Sequence, residues 1–309
     1  MNNLICIAGP TASGKTGLAV DLAEKLNAEI VSCDSMQIYR GMDVGTAKPT
    51  AEETRGVPHH LLDVADPGED FSVGRYVKLA SAAIDEIHSR GRIAIVAGGT
   101  GLYMDSLIKG EEFAPPSSDG ERKWLEDAAE RKGIEYVYEM LRDADPDTAE
   151  RLHISDRKRI IRAMEVFLIT GLPLSWHIAE SKKRPPRYKP VWLGLTFRDR
   201  AKLYARVDAR VDEMLENGLE AEVQALLDRG VDPKTTAMQA IGYKEMAAAL
   251  QGACTVAEAA AKIQQASRNY AKRQLTWFRR NENIRWIYRD ETPDVVARAL
   301  KLLDAPAHR

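Results

Sequence analysis

The 309-residue sequence predicts an α/β fold in which a parallel-sheet core is interrupted by an inserted all-helical domain. Three observations carry this expectation. Short apolar runs alternate with amphipathic helical stretches through the first hundred residues; the first run leads directly into G-x-x-x-x-G-K-[ST]; and two proline-rich breaks bracket a stretch of helical periodicity.

The first strand is Leu4-Ile5-Cys6-Ile7-Ala8, and it feeds Gly9-Pro10-Thr11-Ala12-Ser13-Gly14-Lys15-Thr16. The glycines let the chain curl so that successive N–H groups face phosphate oxygens, and the amphipathic helix over residues 16–26 adds its positive N-terminal dipole. Lys15 brings a full charge and Thr16 a hydroxyl suited to Mg²⁺, so residues 9–16 are a candidate diphosphate or nucleotide site of the P-loop kind. Residues 28–32 predict a second strand, ending at Cys33-Asp34. A helix over residues 72–90 stops at Gly91, and Arg92-Ile93-Ala94-Ile95-Val96 predicts a third strand closed by Ala97-Gly98-Gly99-Thr100-Gly101. Ligands on such sheets sit at the carboxyl ends of the strands, where the loop, Asp34 and Thr100 all fall.

The pattern changes at Phe113-Ala114-Pro115-Pro116, and residues 119–181 read as helical, punctuated by Gly133, Pro146, Gly171 and Pro173. A second break, Arg184-Pro185-Pro186-Arg187-Tyr188-Lys189-Pro190, precedes a return to the sheet at Val191-Trp192-Leu193-Gly194-Leu195. The expected division is therefore a core of residues 1–114 and 190–309 with a helical insertion over 115–189. Helices dominate the remainder, over 198–217, then up to Gly230, then a long basic one over 255–280.

Net charge is −2, so any nucleic-acid contact must come from local basic patches. The three cysteines, Cys6, Cys33 and Cys254, have neither disulfide-framework nor metal-ligand spacing, which fits a reducing cytoplasm. No run approaches the roughly 20 apolar residues of a membrane helix and no signal peptide precedes the first strand, so a soluble cytoplasmic protein is expected.

A phosphate loop most often belongs to an ATP-binding or GTP-binding enzyme. Against hydrolysis, the strand at 93–96 is followed by Ala-Gly-Gly-Thr where an NTPase carries its Mg²⁺-holding Asp, and there is no N-K-x-D. Small-molecule kinases relax that rule, and Asp34 could accept a proton from an acceptor hydroxyl, so a kinase stays open as the alternative.

The motif series has a further meaning. Residues 9–16, then Cys33-Asp34-Ser35-Met36-Gln37-Ile38-Tyr39-Arg40-Gly41-Met42-Asp43-Val44-Gly45-Thr46-Ala47-Lys48-Pro49, Pro58-His59-His60-Leu61-Leu62-Asp63 and Gly98-Gly99-Thr100-Gly101-Leu102-Tyr103 resemble the motifs of bacterial tRNA dimethylallyltransferases. The resemblance continues through Ala240-Ile241-Gly242-Tyr243-Lys244-Glu245 and Tyr270-Ala271-Lys272-Arg273-Gln274-Leu275-Thr276-Trp277, in the family's order and over nearly the whole chain. It implies a nucleotide-kinase-like core with a helical insertion that grips tRNA. It also implies transfer of the dimethylallyl group from dimethylallyl diphosphate to N6 of adenosine 37 beside the anticodon, with Mg²⁺ as cofactor and the target base splayed from its loop. A monomer is expected, and the lack of the zinc-finger extension common in eukaryotic relatives points to the bacterial form.

In such a displacement the leaving group is diphosphate, and the amides of residues 11–16, Lys15 and a Mg²⁺ held partly by Thr16 would neutralise it. Prenyl-chain synthases use D-D-x-x-D instead; the nearest run here, Asp143-Ala144-Asp145-Pro146-Asp147, reads as a helix-capping turn. Asp34 is the candidate general base, with reaching Mg²⁺ through one of its bound waters or capping the loop as its plainer roles. Arg206 and Arg210 sit i,i+4 beside the stripe Leu203, Val207, Val211, Met214, where pairing with Asp208, Asp212 or Glu213 is the plain alternative. By resemblance both face diphosphate, Arg210 more strongly.

The resemblance assigns tRNA contacts to Asp34, Ser35, Met36, Gln37, Thr100 and Lys123, and to Lys158, Arg159, Ile160, Ile161 and Arg162. Lys158, Arg159 and Arg162 project opposite an apolar stripe, as a solvated helix face also would. Arg268, Lys272, Arg273, Arg279 and Arg280 interleave with Tyr270, Trp277 and Phe278; the aromatics read as packing and the cations as mixed in role.

Overall fold

The computed structural model describes residues 3–111 and 119–305. In chain order the elements are β1 (Leu4–Ala8), α1 (Lys15–Leu26), β2 (Ala28–Cys33), α2 (Ala51–Thr54), β3 (His59–His60), α3 (Val73–Ser89), β4 (Ile93–Gly98) and α4 (Gly101–Lys109). There follow α5 (Asp119–Lys132), α6 (Ile134–Ala144), α7 (Pro146–Arg151), α8 (Arg157–Thr170) and α9 (Leu174–Lys183). The chain then forms β5 (Val191–Thr196), α10 (Arg200–Glu216), α11 (Leu219–Asp228), α12 (Tyr243–Leu250), α13 (Val256–Phe278), β6 (Arg285–Tyr288) and α14 (Val295–Asp304). These elements belong to two compact units, one of Met1–Ile108 with Tyr188–Arg309 and one of Lys109–Arg187.

In the larger unit six strands form one sheet in the order β3-β2-β4-β1-β5-β6, every pairing parallel. A parallel sheet covered on both faces needs strands that are apolar throughout, and β1 is buried at all five positions. Its period of two sends Leu4, Cys6 and Ala8 into a core shared with α3, α4, α11 and α12, while Ile5 and Ile7 enter a second core with α1 and α14. The pleat thus fixes β1 between two hydrophobic layers and leaves its carboxyl end to launch the loop at Gly9.

Glu29, inside β2 at the other end of the sheet, is almost fully buried. Its carboxylate is met by His60 Nε2 at 2.7 Å, Arg90 Nη2 at 2.7 Å and Arg92 Nη1 at 3.1 Å, the partners that a buried charge requires.

The smaller unit is helical throughout its described residues, with α5, α6 and α8 packed around Leu125, Val137, Leu141, Ile160, Ile161 and Met164. Asp145 Oδ1 accepts the Thr148 amide at 3.1 Å and Oδ2 accepts the Ser175 amide at 2.9 Å. The run 143–147 is therefore a capping turn, with Pro146 at the first position of α7, where a missing N–H is harmless. The proline break expected at 113–116 lies outside the described residues.

Two strands went unread in the sequence, β3 and β6, at opposite edges of the sheet. Both are short, β3 is two histidines and β6 opens on Arg285 with only Ile287 buried, so neither shows the apolar run that marks the buried strands.

Candidate active site

The carboxyl ends of β1, β2 and β4 meet around one region, and α10 and α13 close it from the last third of the chain. At the end of β1 the chain turns through Gly9 to Gly14 and enters α1 at Lys15. Ala12 takes a φ of 60°, the left-handed region that a residue with a Cβ occupies only when its surroundings enforce it. Its side chain packs on Leu203, Val207 and Ala271, and three arginines hold the loop around it. Arg210 Nη1 donates to Thr11 Oγ1 at 3.3 Å, Arg206 Nε to the Ala12 carbonyl at 3.2 Å, and Arg289 Nη1 to the Ser13 carbonyl at 3.3 Å.

Lys15 Nζ donates to the Pro10 carbonyl at 2.7 Å, so the side chain folds back along the loop. Burial lowers its pKa to about 7, helped by Arg210 and opposed by Asp34. Burial likewise lowers the pKa of Arg210, against the pull of Asp34, Glu53 and Glu213. The site therefore holds positive charge in a setting that favours an incoming anion. Two acidic neighbours on α10 turn away from the arginines, Asp208 pairing with Arg268 at 2.5 Å and Asp212 accepting from Gln264 at 2.9 Å, while Glu213 lines the larger cavity beside Arg206 and Arg210.

A cavity of about 570 Å³ lies over the loop, lined by Lys15, Thr16, Asp43, Val44, Lys48, Arg206 and Arg210 among others. A narrower one of about 80 Å³ shares Lys15, Thr16 and Arg210 with it and adds Thr11, Asp34, Gln37, Gly98, Gly99, Tyr270 and Gln274. The turn after β4 thus contributes glycines, not a carboxylate, and the acid of the narrow cavity is Asp34, immediately after β2. Asp34 Oδ1 accepts the Met36 amide at 2.9 Å, which orients the carboxylate and caps the loop. Thr100 Oγ1 accepts the Ser35 amide at 3.0 Å, and Gln37 Nε2 donates to the Thr46 and Ala47 carbonyls at 3.3 and 3.1 Å. Asp34, Ser35, Gln37 and Thr100 are accordingly drawn together, while Met36 packs on the core.

On α8 in the helical unit, Lys158 and Arg159 are exposed, and Lys123 is exposed on α5. Arg162 is held by the buried carboxylate of Glu165 at 2.7 Å. The expectation for Ile160 and Ile161 needs correction: both side chains are buried in the helical core, because the stripe that anchors α8 runs through them. Only their backbone is left to meet a ligand.

Three further site residues come from the last third of the chain: Gln274 and Arg289, to which the sequence gives no role, and Tyr270, whose expected packing role needs correction because it lines the narrow cavity. Gln274 Oε1 accepts the Thr11 amide at 2.8 Å while its Nε2 donates to the Gly99 carbonyl at 3.0 Å, joining the phosphate loop to the turn after β4. Tyr270, one helical turn earlier on α13, bonds Thr100, and burial pushes its phenol pKa up. Arg289 follows β6. Their spacing from the loop, more than 250 residues, leaves no local pattern to read. Trp277 and Phe278 are packing residues, Phe278 buried and Trp277 donating from its indole to Asp105 at 2.9 Å.

Among the described residues no group of three or more His, Cys, Asp or Glu side chains is placed to hold a metal ion. A phosphate-loop Mg²⁺ needs no such cluster, since it takes one hydroxyl and completes its shell with substrate oxygens and water. Thr16, lining both cavities, fits that requirement.

A phosphate loop on a parallel sheet, flanked by a lysine, three arginines and one opposed carboxylate, defines an α/β group-transfer enzyme with a phosphorylated donor. The profile of the IPP transferase family matches residues 37–281, and that of isopentenyl transferases matches residues 2–68. The chain belongs to the IPP transferase family, among tRNA dimethylallyltransferases. It is 51% identical over 292 residues to the tRNA dimethylallyltransferase of Acetivibrio thermocellus, covering 94% of this chain and 93% of the relative. To that of Carboxydothermus hydrogenoformans it is 49% identical over 284 residues, covering 92% and 91%. The crystal structure of a tRNA isopentenylpyrophosphate transferase from Bacillus halodurans superimposes with a TM-score of 0.72 at 41% identity, covering 98% of this chain and 94% of that one. A eukaryotic dimethylallyltransferase captured acting on tRNA gives a TM-score of 0.87 at 28% identity, covering 100% and 81%.

Proposed function

We propose that this protein transfers the dimethylallyl group of dimethylallyl diphosphate to N6 of adenosine 37 in tRNA anticodon loops, releasing diphosphate. The observation that carries the reading is the opposition of Asp34 to Lys15 and Arg210 along one narrow cavity floored by the phosphate loop. The bond from the allylic carbon to the diphosphate oxygen breaks, a bond from that carbon to N6 forms, and Asp34 takes the N6 proton. Loop amides, Lys15, Arg206 and Arg210 hold the charge that collects on the departing oxygens. Mg²⁺ held partly by Thr16 would add charge neutralisation at the same oxygens. Arg289 supports the loop from behind through the Ser13 carbonyl.

Asp34, Ser35, Gln37 and Thr100 would meet the anticodon loop near the reacting base. Lys123, Lys158 and Arg159, with Arg162 held back by Glu165, would follow its phosphates, which makes the helical unit of Lys109–Arg187 the tRNA-gripping domain. We read the protein as a cytoplasmic monomer; no helix among the described residues is long and apolar enough to cross a membrane.

The deciding experiment incubates the protein with unmodified tRNA, Mg²⁺ and either dimethylallyl diphosphate or ATP, followed by nucleoside analysis. N6-dimethylallyladenosine with the prenyl donor is the expected product. Its absence, or phosphate transfer from ATP to a small acceptor, would sink the reading. Arg210→Ala should raise KM for dimethylallyl diphosphate or lower kcat by about 10² or more, as loss of one charge-stabilising donor does. Unchanged kinetics would return Arg210 to a structural role.

A further inference from the structure

The motif residues 240–245 place Tyr243 outside the linings of both cavities, yet its side chain is fully buried. Its hydroxyl donates to Glu222 Oε1 at 2.5 Å, and burial, with the Glu222 charge second, pushes the phenol pKa up so that it stays a donor. The Glu222 carboxylate, on α11, also accepts three successive amides: Asp43 N at 2.7 Å and Val44 N at 2.8 Å on Oε2, and Gly45 N at 3.1 Å on Oε1. Four donors thus converge on one carboxylate. Consecutive amides that point inward form an anion cradle, and here the anion is a side chain from nearly 180 residues away. Gly45 is required for the fit, because a Cβ there would come within 2.5 Å of the Tyr243 ring and 2.9 Å of Leu219.

The loop so held has two working faces. Asp43, Val44, Ala47 and Lys48 wall the larger cavity, opposite α10. Lys48, its side chain almost wholly buried, is fixed by Asp43, by Asp63 at 2.7 Å and by the Tyr39 carbonyl at 2.9 Å. On the other face the Thr46 and Ala47 carbonyls anchor Gln37, three residues from Asp34. We infer that Glu222, braced by Tyr243, is a positioning residue for the transfer reaction: it sets the loop of residues 43–48 as the wall of the donor cavity and, through that loop, the placement of Gln37. This rests on the reading above that the diphosphate of the donor lies over the phosphate loop, whose Lys15 and Thr16 line both cavities together with Arg210.

Glu222→Gln tests it, since the amide presents an NH₂ group to donors that need an acceptor. KM for dimethylallyl diphosphate should rise about tenfold with kcat within about threefold of the parent, and amides 43–45 should exchange with deuterium about tenfold faster. Tyr243→Phe, which removes one of the four donors, should shift both readouts in the same direction by about threefold. Parent KM and parent exchange rates in the folded variants would overturn the inference, as would a lowered Tm with unchanged KM, which is the signature of a merely structural role. If Glu222→Gln does not fold, Tyr243→Phe carries both readouts. Should the parent protein fail to prenylate tRNA at all, the activity assignment falls, and the exchange of amides 43–45 still decides whether Glu222 holds the loop.

Discussion

Asp34→Asn should lower the single-turnover rate of prenyl transfer by about 10² to 10⁴ while leaving the affinities for donor and tRNA within a few-fold. Asparagine is the informative replacement because Asp34 has two duties. One oxygen accepts the Met36 amide, and a carboxamide oxygen can still do that, so the loop after β2 keeps its shape. The duty that is lost is proton acceptance. An adenine amino group attacks poorly until its proton begins to leave, and the narrow cavity holds no other carboxylate. Asp34→Ala would remove both duties and so confuse them. Full activity of the asparagine variant would take Asp34 out of the proton-transfer step and leave it as a cap.

The affinity for dimethylallyl diphosphate should weaken as pH rises above about 7, by up to about tenfold per pH unit, because Lys15 loses its proton there in the free protein. Diphosphate favours the ammonium form, so binding above that pH must take up a proton. Calorimetry in buffers of different ionisation enthalpy would count it. The sign for folding is opposite: with the folded pKa below the unfolded value of 10.5, the desolvated ammonium opposes folding below pH 7. Between those values the folded state binds fewer protons than the unfolded one, and stability rises with pH. Lys15→Met should abolish both slopes and lower kcat/KM by about 10² to 10³. Asp34→Asn, by removing the group that supports the Lys15 proton, should move the break in affinity to lower pH. A parent KM that stays flat from about pH 6 to about pH 9 would refute the assignment.

The sheet and the phosphate loop were legible because they are local in sequence. Four buried runs became β1, β2, β4 and β5, and the glycine and lysine spacing marked the loop. β3 could not be read, since its two histidines are strand only by pairing His59 with Ile30 and His60 with Val31. The i,i+4 spacing of Arg206 and Arg210 was visible, but only the fold shows both reaching the loop while Asp208 and Asp212 turn to α13. Ile160 and Ile161 illustrate the reverse: a motif segment named whole includes residues that hold the helix rather than the ligand. Gln274 and Glu222 had no reading, and Tyr270 read only as a packing ring, for one shared reason: each acts on backbone or side chains of a distant segment.

The bridge made by Gln274 limits how relatives of this enzyme could be recombined. Gln274 ties Thr11 to Gly99, and one turn on, Trp277 lies where a Cβ at Gly101 would come within 2.2 Å of its ring. A chimera with a crossover anywhere between β4 and α13 would join a turn from one parent to a helix from the other. The first and last thirds of the chain are one inheritance unit, whereas a graft of the helical segment leaves every partner of Gln274 in place.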